Sequence, residues 1–480
     1  MTYKAVIGLE IHAELNTKTK MYCSCKNSFG DNPNTNICPV CTGLPGALPV
    51  INRAAVERAV FAGLAFNCRI NKFTRMYRKQ YFYPDLPKGY QISQFDMPLC
   101  EDGIIYYFSG DELKSAGVKQ VHIEEDAGKL IHGGDRTYID YNRCGVPLIE
   151  IVTRPDIYSA IDAQAFLETV RRMLLFLGIS DCNMQEGSLR CDVNISVSDT
   201  RNSCNSERVE IKNLNTFGGV RRAIEFEIKR QTGLLESGAV ISRETRGWDE
   251  KRQISVLLRS KEDIEDYRYL PEPDIPAIRI DDRFIDNLRN RLPEFEYQKR
   301  IRYTKEYNLS GYDAGLISGN QGLAVFFDKC AKLGANPVEC AKLLTGEVLR
   351  LENETGISVM ESKLKPEDIC AVLSALKAGK INHGTAKTIT RTLFESGGSA
   401  ADLLLSPAFS RIDDETYILK TAAETLDENP GALKDYISGK QNARTFLIGQ
   451  CMRKTKGRAN PRVLSRILDG ELRKRKAEKE

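Results

Sequence analysis

The segment V6-I-G-L-E-I-H-A-E-L15 decides how the first half of the chain folds. Its residues alternate between apolar and polar, which is the period of a β-strand that places successive side chains on opposite faces of a sheet. One face is expected to carry Ile7, Leu9, Ile11 and Ala13, and the other Glu10, His12 and Glu14. Two carboxylates and an imidazole on one face are compatible with a binding site, but a solvent-facing strand shows the same pattern.

The alternation recurs up to about residue 290, for example in SLRCDVNISV, and helical stretches such as AAVERAVFAGLAF interrupt it. From about residue 293 onward apolar residues recur at helical spacing, with a break near Leu405 to Pro407. We therefore predict a multidomain α+β protein. Residues 1–292 would form an antiparallel sheet with helices, 293–405 an all-α helical domain, and 406–480 a basic helical tail domain.

The bulk composition supports this division. A chain of 480 residues is long enough for about two to four folding units. Its hydrophobic content of 41% is ordinary for a globular protein, and no apolar run is long enough to cross a bilayer, so we expect no membrane role. The N-terminus MTYKAVIGLEIH lacks the features of a signal or transit peptide, which predicts a cytoplasmic protein.

Cys23, Cys25, Cys38 and Cys41 fall within nineteen residues, as a C-x-C and a C-x-x-C pair. Two close thiolate pairs can surround Zn²⁺ in the tetrahedral geometry that this ion prefers. The Asn- and Pro-rich connection between the pairs has few apolar residues, and a metal would give it a core. We predict a structural zinc knuckle at residues 23–41, with free thiols or a redox pair as the alternative.

Acidic residues concentrate in two further segments. HIEEDAGK holds His122, Glu124, Glu125 and Asp126, and like charges at this density need a cation, protonation or open water. In GVPLIEIV, Glu150 interrupts an apolar strand, where an ionised carboxylate is costly unless it is paired or bound to a metal. Oxygen ligands from these segments and from the first strand, with His12 among them, favour Mg²⁺ or Mn²⁺ over zinc.

Two other strand-like segments carry mixed polar groups. EGSLRCDVNIS sets Arg190 and Asp192 opposite an apolar face, and VEIKNLN does the same with Lys212. Such a polar sheet face can recognise an anionic group. The chain has neither a G-x-x-x-x-G-K-[ST] loop nor a G-x-G-x-x-G fingerprint, so any use of ATP would depend on metal and on this polar sheet.

The C-terminal region is basic. Residues 441–480 hold twelve Lys or Arg against four Asp or Glu, although the whole chain has a net charge of only +4. Asn460 can cap a helix that begins at Pro461, and the preceding turn carries Arg453, Lys454, Lys456 and Arg458. A basic tail on a mildly acidic body indicates a polyanion contact, with a solvated charged end as the alternative.

Seven segments, in order along the chain, are similar to those of the B subunits of aspartyl/glutamyl-tRNA amidotransferases. They are VIGLEIHAEL, YFYPDLPKGYQISQFD, HIEEDAGK, DYNRCGVPLIEIV, EGSLRCDVNIS, EIKNLN and DYRYLPEPD. The resemblance covers essentially the whole chain. It implies a cradle-shaped catalytic domain, a helical domain and a tail that contacts tRNA. The implied partners are the glutaminase, or A, component and the small C component of a heterotrimer.

The resemblance also implies the reaction. ATP would phosphorylate the side-chain carboxylate of glutamate on tRNA(Gln) or of aspartate on tRNA(Asn), and ammonia from the glutaminase would then displace phosphate. The implied Mg²⁺ ligands are Glu10, His12, Glu125 and Glu150, with Glu124 as the main competitor. Catalytic or phosphate contacts are assigned to Arg190, Asp192 and Lys212, with Arg190 and Lys212 at the nucleotide. Candidates for the gate that receives ammonia are His122, Glu125 and Lys88.

Zinc is not required for this chemistry, because the resemblance includes members that lack the cysteines. Two other functions stay open at this point. A non-catalytic tRNA-binding scaffold would have the acidic residues only as structural groups, and a small-molecule carboxylate-amine ligase would act without tRNA.

Overall fold

The computed structural model describes residues 3–199, 204–260, 268–406, 409, 412–455 and 457–477. Lys456 and the first two residues of the DYRYLPEPD motif lie outside this range. Contacts group the described chain into two compact units, Met1–Tyr297 and Gln298–Glu480. A mixed sheet with helices in the first unit and a helical second unit confirm the prediction of a multidomain α+β fold.

The first unit contains strands throughout its length. They are β1 (Tyr3–Glu14), β2 (Arg69–Ile70), β3 (Phe73–Thr74), β4 (Tyr77–Gln80), β5 (Tyr90–Ser93), β6 (Cys100–Ser109), β7 (Glu112–Glu125), β8 (Lys129–Gly133), β9 (Arg136–Asp140), β10 (Pro147–Thr153), β11 (Leu189–Asp199), β12 (Cys204–Asn205), β13 (Val209–Leu214), β14 (Glu244–Asp249), β15 (Ile254–Ser260), β16 (Tyr269–Pro271) and β17 (Ile278–Arg279). Its helices are α1 (Arg53–Ala65), α2 (Ala160–Phe176), α3 (Phe217–Glu236) and α4 (Asp282–Arg289).

The large sheet has the strand order β15-β14-β13-β11-β1-β10-β7-β6-β2, with β12 paired to β11. β1 lies in its middle and runs antiparallel to both β10 and β11, whereas β13 and β14 run parallel. The predicted apolar face of β1 is at most 1% exposed at Ile7, Leu9, Ile11 and Ala13, which confirms the alternation read from the sequence. That face shares one hydrophobic core with α1, α2 and α3, so the opposite face is left to polar side chains.

The helices of this core begin where short polar side chains can cap them. Asn52 Oδ1 accepts a hydrogen bond of 2.9 Å from the backbone N–H of Ala54 at the start of α1. Ser159 and Thr216 do the same for α2 and α3. Each cap satisfies a backbone N–H that has no partner within its helix, which fixes the point at which the chain turns onto the sheet.

Smaller sheets complete the first unit. β4 lies between β16 and β5, and β8 and β9 form a hairpin. β4 and β16 are about 190 residues apart in sequence, yet Lys79 pairs directly with Tyr269. The small sheet β16-β4-β5 therefore brings distant segments of the chain together.

The helices that follow from residue 296 onward are α5 (Glu296–Tyr307), α6 (Gly311–Gly319), α7 (Gln321–Lys332), α8 (Pro337–Leu343), α9 (Leu349–Thr355), α10 (Pro366–Lys377), α11 (His383–Ser396), α12 (Ala400–Leu405), α13 (Glu415–Glu428), α14 (Pro430–Ile437), α15 (Gln441–Lys454) and α16 (Pro461–Ala477). A π-helical turn, Leu344–Val348, joins α8 to α9. The core of Tyr303 to Ala400 is separate from the core of Ile418 to Leu472. These separate cores support a domain division near residue 405, which stays a proposal.

The end of the chain folds largely as its sequence indicates. α16 begins at Pro461, and Asn460 Oδ1 accepts a hydrogen bond of 3.1 Å from the Arg462 N–H. Its apolar stripe is fully buried at Leu464, Leu468 and Leu472. The prediction that Arg453 and Lys454 lie on a turn is wrong, because α15 continues through Lys454.

Within the described ranges, we find no helix that combines the length and the apolar character needed to cross a membrane.

Candidate functional site

A row of polar side chains crosses four strands of the large sheet. Arg190 on β11 pairs with His12 on β1, His12 pairs with Glu150 on β10, and Glu150 pairs with His122 on β7. Directly opposed residues of antiparallel strands place their side chains on the same face. The strand register therefore assembles four functional groups from distant parts of the chain into one line.

Glu10, His12 and Glu150 form a group that can hold a metal ion. Each offers one ligand atom, and these atoms lie within 4.8 Å of one another. Glu124 adds a further carboxylate, since its Oε1 lies 3.7 Å from His12 Nε2. Carboxylate oxygens with a single imidazole suit Mg²⁺ or Mn²⁺ better than zinc. Burial lowers the pKa of His12, which keeps the imidazole neutral and its ring nitrogens available to a metal.

The electrostatics of this group also favour a cation. Burial, with the charges of Glu150 and Asp192, raises the pKa of Glu10 to about 7. Burial and Glu150 together raise the pKa of Glu124 to about 8. Burial acts in the same direction on Glu150, but His122, together with His12 and Lys79, outweighs it and lowers the pKa to about 2. Closely packed carboxylates with raised pKa values mark a site that a divalent cation would stabilise.

The ring nitrogens of His122 give a second observation on this face of the sheet. His122 Nδ1 lies 3.8 Å from Glu150 Oε2. Its other ring nitrogen, Nε2, is buried and has no hydrogen-bond partner in the described part of the chain. Buried polar atoms are normally satisfied, so this nitrogen is available to a bound group on this face.

The predicted cationic residues lie beside the metal group, and carboxylates hold both of them. Arg190 Nη2 lies 2.7 Å from Asp126 Oδ2. Lys212 Nζ lies 2.9 Å from Asp192 Oδ2. Burial alone would lower the pKa of Lys212, but the charges of Asp192 and Glu210 outweigh burial and raise it. Both side chains are therefore fixed in position as cations, as an anionic ligand requires.

These residues line one cavity of about 620 Å³, which we name the acidic cavity. The residues that matter below are Glu10, His12, Lys79, Ser93, Phe95, His122, Glu124, Asp126, Glu150, Arg190, Asp192, Lys212 and Tyr269. The large sheet provides most of the acidic groups, and the small sheet β16-β4-β5 provides Lys79, Ser93 and Tyr269. The sequence analysis named Asp126 only as part of an acidic cluster, and it missed Lys79, Ser93 and Tyr269 as site residues. Their only signal was their place in or beside the motifs YFYPDLPKGYQISQFD and DYRYLPEPD.

The structure does not bring Glu125, predicted as a metal ligand, into the group at Glu10, His12 and Glu150. Glu124 and Glu125 are consecutive on β7, so their side chains point to opposite faces of the sheet. Glu124, the predicted competitor, shares the metal face. The Glu125 carboxylate instead forms an ion pair with Lys88, and both side chains are buried, at 2% and 7% exposure.

Glu125 and Lys88 line a second cavity of about 200 Å³, which we name the cysteine-side cavity. Its lining also includes Tyr22, Cys23, Cys41, Gly43, Leu44, Tyr90, Ile92 and Gly145. The Ile92 N–H donates a hydrogen bond of 3.0 Å to Glu125 Oε1. Of the three gate candidates, Lys88 and Glu125 therefore lie at this cavity, whereas His122 lines the acidic cavity.

The four predicted cysteines come together in a group that can hold a metal ion. Their sulfur atoms lie within 4.8 Å of one another. A hydrogen bond with Cys23 is the main cause that lowers the pKa of Cys41 to about 4, and the charge of Lys20 adds to it. Lys20 is fully buried, and its Nζ lies 3.8 Å from Cys41 Sγ. A buried ammonium beside the Cys41 sulfur favours the thiolate form of this residue, which is the form that binds metal.

The predicted tRNA-contacting residues lie at the end of α15 and just after it. Arg453 and Lys454 occupy the last turn of α15, where Lys454 Nζ lies 2.7 Å from Glu428 Oε1. Arg458 precedes the N-cap of α16 by two residues. Lys456 lies outside the described residues, and the role of all four stays a prediction.

The chain matches two family profiles. Residues 5–286 match a family described as the GatB/GatE catalytic domain. Residues 325–472 match a family described as the GatB domain. The first match contains both cavities and the four cysteines, and the second contains the basic segment at 453–458.

Relatives of similar length are known. A protein of Caldicellulosiruptor saccharolyticus is 46% identical over 479 residues, which cover 99% of this chain and all of the relative. A Thermotoga maritima protein is 45% identical over 482 residues, 98% of this chain and all of the relative. A Clostridium kluyveri protein is 43% identical over 475 residues, with 99% and 100% coverage. All three are named as the B subunit of an aspartyl/glutamyl-tRNA(Asn/Gln) amidotransferase.

Proposed function

The chain belongs to the family of aspartyl/glutamyl-tRNA amidotransferase B subunits, and from this premise we propose that its acidic cavity activates the side-chain carboxylate of a misacylated tRNA. A protein of this family is one subunit of a tRNA-dependent amidotransferase, a ligase that forms Gln-tRNA or Asn-tRNA. The single observation that carries the proposed step is the convergence of Glu10, His12 and Glu150 on one point of the sheet.

A carboxylate is a poor electrophile, and ATP converts it into an acyl phosphate that an amine can attack. Bringing the triphosphate and the carboxylate together crowds negative charge into a small volume. Glu10, His12 and Glu150 would hold Mg²⁺, with Glu124 as a further ligand, and the ion would neutralise this charge and align both reactants. Glu125 has no place in this set, since its side chain faces the other side of β7.

The remaining residues of the acidic cavity position the anions. Lys212, held by Asp192 and Glu210, and Arg190, held by Asp126, would contact the phosphates or the substrate carboxylate. Their carboxylate partners keep the cations in place before the ligand arrives, which reduces the cost of ordering them at the moment of reaction. Asp192 acts here by positioning Lys212.

The second step requires ammonia, which we assign to the cysteine-side cavity. Lys88 and Glu125 form a buried ion pair at this cavity, and its small volume of about 200 Å³ suits a small molecule. Glu124 and Glu125 are consecutive on β7, so the two cavities lie on either side of this strand. The closed ion pair would keep bulk water out, and its opening would admit ammonia made by a partner protein.

The same proposal includes the partners and the remaining cofactor. We assign Zn²⁺ to the four cysteines, whose sulfur atoms fit a tetrahedral structural site. The glutaminase and the small C component would complete a heterotrimer in the cytoplasm, the site of translation. Arg453, Lys454, Lys456 and Arg458 would contact the tRNA backbone.

Assembly of the full-length chain with the glutaminase and the small C component tests the proposed reaction. The assay supplies Glu-tRNA(Gln) or Asp-tRNA(Asn) with ATP, Mg²⁺ and glutamine. We expect amide formation that requires ATP, Mg²⁺ and the misacylated tRNA together. Amide formation on a free amino acid without tRNA would instead identify a small-molecule ligase.

A further inference from the structure

We propose that Phe95 and Tyr269 form a stacking surface for an adenine ring at the acidic cavity, an assignment that rests on the function proposed above. The two rings are nearly parallel, with centroids 4.3 Å apart and an angle of 16° between their planes. Phe95 is 53% exposed although it is a large apolar residue. Both rings line the acidic cavity.

Neighbouring contacts hold the pair in place. Tyr77 meets Phe95 edge-on, with ring centroids 6.1 Å apart and planes at 71°. The Tyr77 hydroxyl donates to the Asp96 carboxylate and accepts a hydrogen bond of 2.8 Å from Arg75 Nε. Because Asp96 follows Phe95 directly, these bonds fix the backbone that carries the Phe95 ring. A preorganised aromatic surface loses little conformational entropy when a flat ligand binds.

The pair also lies close to the groups that would bind phosphate and metal. Tyr269 and Lys79 are direct cross-strand partners, so both side chains lie on the same face of the small sheet. Phe95 lies two residues after Ser93, whose hydroxyl donates a hydrogen bond of 3.0 Å to Glu124 Oε2. Two residues span at most about 7 Å. The aromatic pair and the Glu124 carboxylate therefore line the same cavity and are linked through two residues of chain.

This arrangement matches a ligand with a flat heterocycle at one end and phosphates at the other. Aromatic side chains stack on nucleobases, and the cations of the cavity suit phosphate oxygens. The proposed reaction brings two such groups to the cavity. One is the adenine of ATP, and the other is the terminal adenosine of the tRNA acceptor end, which carries the amino acid.

Equilibrium binding to the full-length chain in the assembled heterotrimer tests the proposal. The variants are Phe95→Leu and Tyr269→Leu, which keep an apolar side chain and remove the ring, with Phe95→Tyr as the variant that keeps it. Phe82→Leu is the matched control, because Phe82 is 89% exposed and does not line the cavity. The probes are Mg·ATP, Mg·tripolyphosphate, which lacks adenine, and uncharged tRNA ending in CCA or in CCU.

We expect each leucine variant to weaken one adenine-bearing probe about tenfold, as loss of one stacked base would. Weaker binding of Mg·ATP with unchanged Mg·tripolyphosphate assigns the surface to the nucleotide. Weaker binding of CCA-ending tRNA alone assigns it to the acceptor end. Phe82→Leu should bind all probes as the unmodified chain does. Phe95→Tyr, which keeps an aromatic ring, should bind the adenine-bearing probe more tightly than Phe95→Leu.

Unchanged binding of both adenine-bearing probes by Phe95→Leu and Tyr269→Leu overturns the proposal. An equal loss for Mg·tripolyphosphate also overturns it, since that result reports general disturbance of the cavity. Failure of the proposed function has a different signature, which is absence of ATP-dependent amide formation by the unmodified heterotrimer.

Discussion

Glu124 and Glu125 are adjacent residues of the same type on the same strand, yet they lie in different chemical environments. The Glu124 carboxylate faces His12 at the acidic cavity, and burial together with Glu150 raises its pKa to about 8. The Glu125 carboxylate faces Lys88 at the cysteine-side cavity, where the ion pair satisfies its charge. One step along a β-strand separates a group that attracts a metal from one that is already neutralised.

The difference shows that a sheet can serve two functions through alternate residues of one motif. The face at the acidic cavity carries several carboxylates and needs a bound cation. On the opposite side of β7, Lys88 already provides the positive charge. In the proposed reaction, phosphoryl transfer and ammonia delivery take place on opposite sides of one strand. Substitutions on the two sides should therefore have distinct consequences.

The largest effect is expected from Glu150→Gln. This change keeps the shape of the side chain and removes one charged ligand of the metal group, so the ATP-dependent step should slow by at least about a hundredfold. The measurement is amide formation by the heterotrimer at saturating Mg²⁺. Glu112→Gln, at the exposed end of β7, is the matched control and should retain full activity. Unimpaired amidation by Glu150→Gln would favour the non-catalytic scaffold.

The comparison itself is tested by Glu124→Gln and Glu125→Gln. Loss of a carboxylate at the metal face should raise the Mg²⁺ concentration needed for half-maximal activity about ten- to a hundredfold. Glu125→Gln should leave the Mg²⁺ dependence unchanged and reduce use of glutamine-derived ammonia. It should also destabilise the fold by about 3 kcal/mol, because Lys88 stays buried without its counter-charge. Equal shifts in Mg²⁺ dependence for both variants would show that the two faces are not separate.

Loss of the cysteine site should affect the cysteine-side cavity and leave the acidic cavity unchanged. The unmodified chain should bind about one zinc ion, and Cys25→Ser should bind it far more weakly in competition with a chelator. Cys370→Ser is the control, since this partly exposed cysteine lies outside the group. Because Cys23 and Cys41 line the cysteine-side cavity, loss of zinc should raise the ammonia concentration required and spare the Mg²⁺ dependence. A chain without zinc that folds normally would support the free-thiol alternative.

Charge reversal in the tail should change tRNA affinity without the effects seen at either cavity. Arg453→Glu with Arg458→Glu should weaken tRNA binding about tenfold. The plot of log affinity against log salt should become less steep by about one unit per lost phosphate contact. Lys332→Glu, at an exposed position on α7, is the matched control. The same affinity and salt slope in the double variant would exclude these arginines from tRNA binding.

The smallest expected effect comes from Gly43→Ala, which tests how closely the chain just after the four cysteines packs on Lys88. Gly43 has a φ of +70°, and an added Cβ would lie 2.5 Å from Lys88 Cγ. Gly46 has a φ of +85°, and no atom of the described residues lies within 4 Å of the added Cβ, so Gly46→Ala measures backbone strain alone. Gly43→Ala should be less stable than Gly46→Ala by about 1 kcal/mol in urea unfolding. Equal stabilities would show that Lys88 moves aside freely.

Local patterns in the sequence predicted much of the fold and part of the site. Alternation identified the buried faces of β1 and β11, and the capping residue Asn460 identified the start of α16, because each depends on neighbouring residues only. The four cysteines were recognisable as one group for the same reason. Lys79 and Tyr269 were missed as site residues, since their place depends on the pairing of β4 with β16, far away in sequence. Ser93 was missed with them, since its strand β5 reaches the site through the same small sheet.

The sequence alone determined which side chains share a face of a strand, because the alternation of a β-strand is a property of its own backbone. It could not decide which carboxylate meets which cation. That choice depends on register and on the packing of distant strands, which set the line of Arg190, His12, Glu150 and His122. Only the tertiary structure placed Glu124 beside His12 and Glu125 beside Lys88, since it alone fixes what lies opposite each face of β7.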